Sequence, residues 1–114
     1  MSELAQVIVE RHGEMTVTRL TGEIDMSNAA HVGAQLVAAA EEADGPLIVD
    51  LTETQYLDSA WFRAIEGVAL GLAPAGRPLR LVCAPGAPSR RLLELAGMDR
   101  MLPLFASAAE AVEG

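Results

Sequence analysis

A chain of 114 residues that is 51% hydrophobic can bury one core and is too short for two ordinary domains, so residues 1–114 read as a single soluble domain. Its formal net charge of −8 opposes approach to nucleic-acid backbones and to anionic lipid, which sets both aside as partners. No apolar run nears the roughly 20 residues of a membrane span, and Met1-Ser2-Glu3-Leu4 has neither the basic start nor the long apolar stretch of a secretion signal, so a cytoplasmic location is expected.

Short β-branched runs at Val7 to Glu10 and Thr16 to Leu20, parted by His12-Gly13-Glu14, predict a hairpin. Gly22 marks a bend or a close backbone approach as the second strand leaves through Leu20-Thr21-Gly22-Glu23-Ile24-Asp25. A helix should start near Ser27 or Asn28, bury Val32, Leu36, Ala39 and Ala43, and stop at Gly45-Pro46. Leu47 to Leu51 shows no alternation, the pattern of a strand buried on both faces. Thr52-Glu53-Thr54 reads as a polar connection into a helix carrying Trp61, Ile65, Val68 and Leu72. A compact loop, Pro74 to Pro78, precedes a second buried strand at Leu79 to Cys83, which should lie beside the first. Pro85-Gly86-Ala87-Pro88 delivers Ser89 as the cap of a short helix with Leu92, Leu93, Leu95 and Ala96 as its apolar positions, closed by Gly97. Met101 to Phe105 reads as an extended segment, and Ser107-Ala108-Ala109-Glu110 has capping-box spacing for a last helix. Strands alternating with helices imply an α/β fold: a small, mixed but mainly parallel sheet with an N-terminal hairpin, covered by about four helices.

The chemistry of metals and cofactors is missing from this pattern. His12, His31 and Cys83 fall on three different elements, so no metal-ligand spacing exists, and the lone Cys83 reads as a small core residue. No glycine-rich strand-to-helix turn and no lysine are present, which removes dinucleotide and phosphate-loop sites. Ser59 lacks the flanking glycines of a hydrolase elbow, and His31 could reach it only through the fold, so an enzyme is not expected.

Function concentrates instead on Leu57-Asp58-Ser59-Ala60-Trp61. Ser59 begins a helix, where its hydroxyl has two readings: a cap for the first turn, or an acceptor for a phosphate carrying about −1.5 to −2 charges. Glu23, Asp25, Asp50 and Asp58 all lie at strand ends, the edge where α/β sheets place their sites. Asp50 reads as a turn cap. Asp25 and Asp58 would flank Ser59 if the two helices start on one edge.

Taken in register, Leu20 to Asp25, Leu47 to Thr52, Leu57-Asp58-Ser59 and Arg91 to Met98 resemble the landmarks of the STAS family, in particular bacterial anti-sigma factor antagonists. The resemblance spans nearly the whole chain. It implies a partner-switching protein without catalysis of its own, which binds an anti-sigma factor, commonly a serine kinase using ATP and magnesium, and so releases a sigma factor. It further implies phosphorylation at Ser59 by that kinase, reversal by a serine phosphatase, and a partner surface containing Asp25, Asp58, Ser59, Ala60 and Trp61. Where the family commonly continues with a second hydroxyl residue and glycine, this chain has Ala60 and Trp61. Trp61 is either a partner contact or the first member of the buried stripe, and its spacing to Ile65 favours the stripe. The alternative within the same fold is an accessory STAS module that regulates a transporter ATPase or a signalling scaffold by contact.

Overall fold

The computed structural model describes residues 5–114. Its elements run β1 (Ala5–His12), β2 (Met15–Ile24), α1 (Ala29–Ala40), β3 (Leu47–Asp50), β4 (Thr54–Leu57), α2 (Ser59–Leu72), β5 (Leu79–Val82), α3 (Arg90–Leu95), α4 (Met98–Met101), β6 (Leu104–Phe105) and α5 (Ala108–Glu113). The hairpin is longer than the β-branched runs suggest, because β1 pairs with β2 antiparallel from Ala5↔Gly22 to His12↔Met15.

The ten-residue β2 has more hydrogen-bonding edge than any one short partner can fill. Its first half takes β3 in parallel, Thr16↔Leu47 to Arg19↔Asp50. Its second half takes β4, Gly22↔Thr54 to Ile24↔Leu57, with a register shift between Gly22 and Glu23. Gly22 carries φ of 92°, a left-handed value that glycine adopts without a Cβ clash, and it sits at that shift. The remaining order, β3-β5-β6, is all parallel. Leu47↔Leu79 through Asp50↔Val82 sets the two apolar strands side by side as expected, with Ile48 and Val82 both 0% exposed.

Strand β4 is a departure from the sequence reading, which took Thr52 to Thr54 as a bare connection. Thr52 and Glu53 turn the chain, Asp50 Oδ1 accepts the Thr52 N–H at 2.9 Å, and the chain then re-enters the sheet. The buried Thr54 hydroxyl donates to Leu20 O at 2.8 Å, pinning β4 to β2. Asp50 thus takes the turn-capping role assigned to it.

Helices α1 and α2 cover one face of the sheet, where Leu20, Leu36, Leu51, Leu57, Trp61 and Ile65 are among the large side chains that meet. On the other face Val17, Ile48 and Val82 pack against Ala111 of α5. Trp61 is 1% exposed and stacks edge-on to Phe62 with ring centroids 5.7 Å apart. Its side chain therefore belongs to the stripe with Ile65, Val68 and Leu72. Helix α1 ends at Ala40, earlier than Gly45-Pro46, and Arg77 fixes this end by donating to Ala40 O and Gly45 O, each at 2.9 Å. Gly45 is required by a close approach, since a Cβ there would meet Glu14 O at 2.6 Å.

Toward the C-terminus three readings change. Ser89 does not cap α3: its hydroxyl is buried and donates to Leu51 O at 3.0 Å, tying the α3 entrance to the end of β3. Of the apolar positions of α3, Leu93 is buried whereas Leu95 and Ala96 face solvent. Of the segment expected to be extended from Met101 to Phe105, Met101 instead closes a turn of helix, α4, while Leu102 is extended and β6 follows at Leu104–Phe105. Ser107 Oγ accepts the Glu110 N–H at 3.2 Å, as the capping box requires, while Glu110 Oε1 reaches the N–H of Ala106. Cys83 is fully buried with Sγ 3.7 Å from Ser89 Oγ, and burial pushes its thiol above the ordinary range.

Because the Trp61 ring fills the space between α2 and the sheet, Trp61→Gly leaves a cavity and adds backbone freedom to a helix. The expected loss is about 4 kcal/mol or more, read as a shift of the urea midpoint at unchanged slope. A loss under about 1 kcal/mol would show that the ring is not part of the core.

Candidate functional site

Parallel pairing of Ile24 with Leu57 makes β2 and β4 end together, so the loops into α1 and α2 emerge side by side. The junction is stitched by two hydrogen bonds. Asp58 N–H donates to Ile24 O at 3.3 Å, and Met26 N–H donates to Asp58 Oδ2 at 3.2 Å.

The cap of α2 is Asp58, not Ser59. Asp58 is extended, with φ −121° and ψ −174°, and its Oδ1 accepts the N–H groups of Ala60 at 2.9 Å and Trp61 at 3.3 Å. A carboxylate at this position satisfies the first orphan donors of the helix and meets the positive end of its dipole. The capping reading of Ser59 is thereby corrected. Ser59 is the first helical residue, exposed, and its hydroxyl makes no hydrogen bond among the described residues.

Asp25 opens the neighbouring loop and is held inside it. Its Oδ1 accepts from the Ser27 N–H at 2.8 Å and from the Ser27 hydroxyl at 2.5 Å. These bonds, the hydroxyl's first, hold its carboxyl below the usual aspartate range. Asn28 locks the same loop: Oδ1 accepts the Asp25 N–H at 2.9 Å and Nδ2 donates to Glu23 O at 3.0 Å. The sheet brings Asp25, Asp58 and Ser59 to one edge, yet neither carboxylate hydrogen-bonds the Ser59 hydroxyl.

Ala60 is partly exposed beside Ser59. Trp61 is not on this surface, since its ring points into the core. Met26, which the sequence reading passed over, is on it: 84% exposed, with its N–H on Asp58. One signal for it exists in the sequence, a large apolar residue set alone among Asp25, Ser27 and Asn28. Neither histidine belongs to the site; His12 ends β1, and His31 is exposed on α1. Among the described residues no group of His, Cys, Asp and Glu could hold a metal ion, and no helix is long and apolar enough to cross a membrane.

A mixed sheet with two helices springing from one edge, and a capped helix start presenting a serine, defines a small α/β domain. The chain belongs to the STAS domain family, whose family model matches residues 6–111. It is 26% identical over 109 residues to the anti-sigma-F factor antagonist RsfB of Mycobacterium tuberculosis, covering 95% of this chain and 87% of that one. A crystal structure of an anti-sigma factor antagonist from Mycobacterium paratuberculosis superposes with a TM-score of 0.82 at 25% identity, covering 96% of this chain and 92% of that one. The Bacillus protein SpoIIAA shares the fold in its phosphorylated form, with a TM-score of 0.67 at 20% identity over 95% of this chain and 97% of that one.

Two measurements check this geometry. Asp58→Ala should cost about 1–2 kcal/mol in chemical denaturation; an unchanged midpoint would remove the cap. The Asp25 carboxyl, followed by NMR, should titrate below an ordinary aspartate and return upward in Ser27→Ala. Since the folded value is the lowered one, the interaction stabilises the fold above the ordinary aspartate value, and the contribution is lost as pH falls through the lowered one.

Proposed function

We propose that this chain is an anti-sigma factor antagonist: a binding protein that docks a serine-kinase-type anti-sigma factor through Asp25, Met26, Asp58, Ser59 and Ala60, and so releases a sigma factor. Phosphorylation of Ser59 by that partner ends the association, and a serine phosphatase restores it. One observation carries the reading: Asp58 caps α2, leaving the Ser59 hydroxyl exposed and uncommitted at the first helical position. The curated relatives named as antagonists support the partner class.

The chemistry asked of this chain is small. Ser59 Oγ attacks the γ-phosphorus of a nucleoside triphosphate held by the partner. An Oγ–P bond forms, the bond to the leaving nucleoside diphosphate breaks, and the hydroxyl proton passes to a base on the partner. Nucleotide and magnesium belong to the kinase, and this chain needs no cofactor. Met26 supplies an apolar contact beside the serine, and the rigid Asp25–Asn28 loop presents it with little ordering cost on binding.

In the free protein a phosphate on Ser59 would meet the favourable start of α2, worth about 0.3–1 kcal/mol, against comparable, partly screened repulsion from the Asp58 carboxylate. The fold should therefore tolerate it. In a closed interface the same dianion loses water and costs several kcal/mol unless cations meet it.

Titration calorimetry with an anti-sigma partner, run beside thermal melts, tests the switch. Ser59→Ala should bind like the unmodified protein, whereas phosphorylated protein and Ser59→Asp should stay folded and lose about a hundredfold or more in affinity, a change near 3 kcal/mol. Undiminished binding by folded, phosphorylated protein would eliminate the switch. Stable co-purification with an ATPase and no phosphate on Ser59 would instead mark an accessory module.

A further inference from the structure

We infer that Arg63 is an internal counter-ion for phosphorylated Ser59, a pairing that rests on the reading of Ser59 as a phosphate acceptor and specifies how the modified state is held. Ser59 and Arg63 are four residues apart on α2, both exposed. At that spacing their Cβ atoms lie about 5–6 Å apart on one helix face. Long side chains on a helix lean toward its N-terminus and cover the preceding turn, so the Ser59 position is within reach of the Arg63 guanidinium. The order is also the favourable one, with the anion N-terminal to the cation.

Nothing on the helix competes for this arginine. Among the described residues Arg63 takes part in no ion pair and no side-chain hydrogen bond, unlike Arg11, Arg19, Arg77, Arg80 and Arg90. Glu66 lies one turn toward the C-terminus, away from the lean of the Arg63 side chain. The carboxylate next to Ser59 in sequence, Asp58, is engaged by the N–H groups of Ala60, Trp61 and Met26. A phosphate on Ser59 brings about two negative charges and three acceptor oxygens to a planar guanidinium that can meet two of them at once.

The pair gives phosphorylation two effects at the surface. It adds an anion, and it withdraws a cation that the unmodified protein offers to an acidic group of a partner. The phosphate is also laid along α2 rather than left to swing, so a partner closing over this turn must either break the pair or desolvate it.

The test uses full-length protein with phosphoserine placed at position 59 during synthesis, so that no kinase is needed. Phosphorus NMR titration should give a second phosphate pKa about 0.3 unit lower in the parent than in Arg63→Ala. Arg63→Lys should recover most of that difference, and 1 M salt should shrink it. Unphosphorylated Arg63→Ala should melt with the parent, which separates the pairing from a structural role. Equal phosphate pKa values in parent and Arg63→Ala at low salt would overturn the pair. Partner titrations fail independently: a normal Arg63 effect with undiminished partner binding would sink the switch alone, and an absent Arg63 effect with a working switch would sink the pair alone.

Discussion

The parallel pairing of Ile24 with Leu57 is the contact on which the working end of this molecule depends. It makes two strands far apart in sequence stop at one height, so the loops they feed meet and the Asp58 carboxylate can accept N–H groups from both. The pairing exists because β2 is long enough to hold β3 along one half and β4 along the other, with Gly22 absorbing the shift between them. Slide β4 by one residue and the faces of Thr54 and Leu57 would invert, taking a threonine pin and a core leucine out of place together.

Most of the sheet was legible because its signals are local and apolar. Leu47 to Val49 is an unbroken apolar run and Leu79 to Val82 is broken only by Arg80, and only a central position buries both faces of a strand. The Trp61, Ile65, Val68, Leu72 stripe identified α2 and favoured an inward tryptophan, which the buried ring bears out. Strand β4 was not legible: four residues mixing Thr, Gln, Tyr and Leu carry little pattern of their own, and their conformation is imposed by the open half of β2. Ser89 misled for a related reason. A serine before a helix has the spacing of a cap, but a buried carbonyl, Leu51 O, had a stronger claim on its hydroxyl.

At the site, sequence placed the residues but not their division of labour. Asp58 and Ser59 are adjacent at a helix start, and either can cap; the carboxylate does so, since an ionised acceptor binds backbone N–H groups more strongly than a hydroxyl. Asp25 kept its place at the shared edge, although its carboxylate is turned onto Ser27 rather than toward the second helix. Met26 was missed because an isolated exposed apolar residue has no periodicity to betray it.

The burial of Trp61 has an optical consequence. It is the chain's one tryptophan, sealed from solvent and edge-on to Phe62, with its backbone only two residues from Ser59. Indole emission therefore reports on the packing of α2 against the sheet, and the ring is shielded from aqueous quenchers. The chain carries a built-in fluorophore for the integrity of its main core.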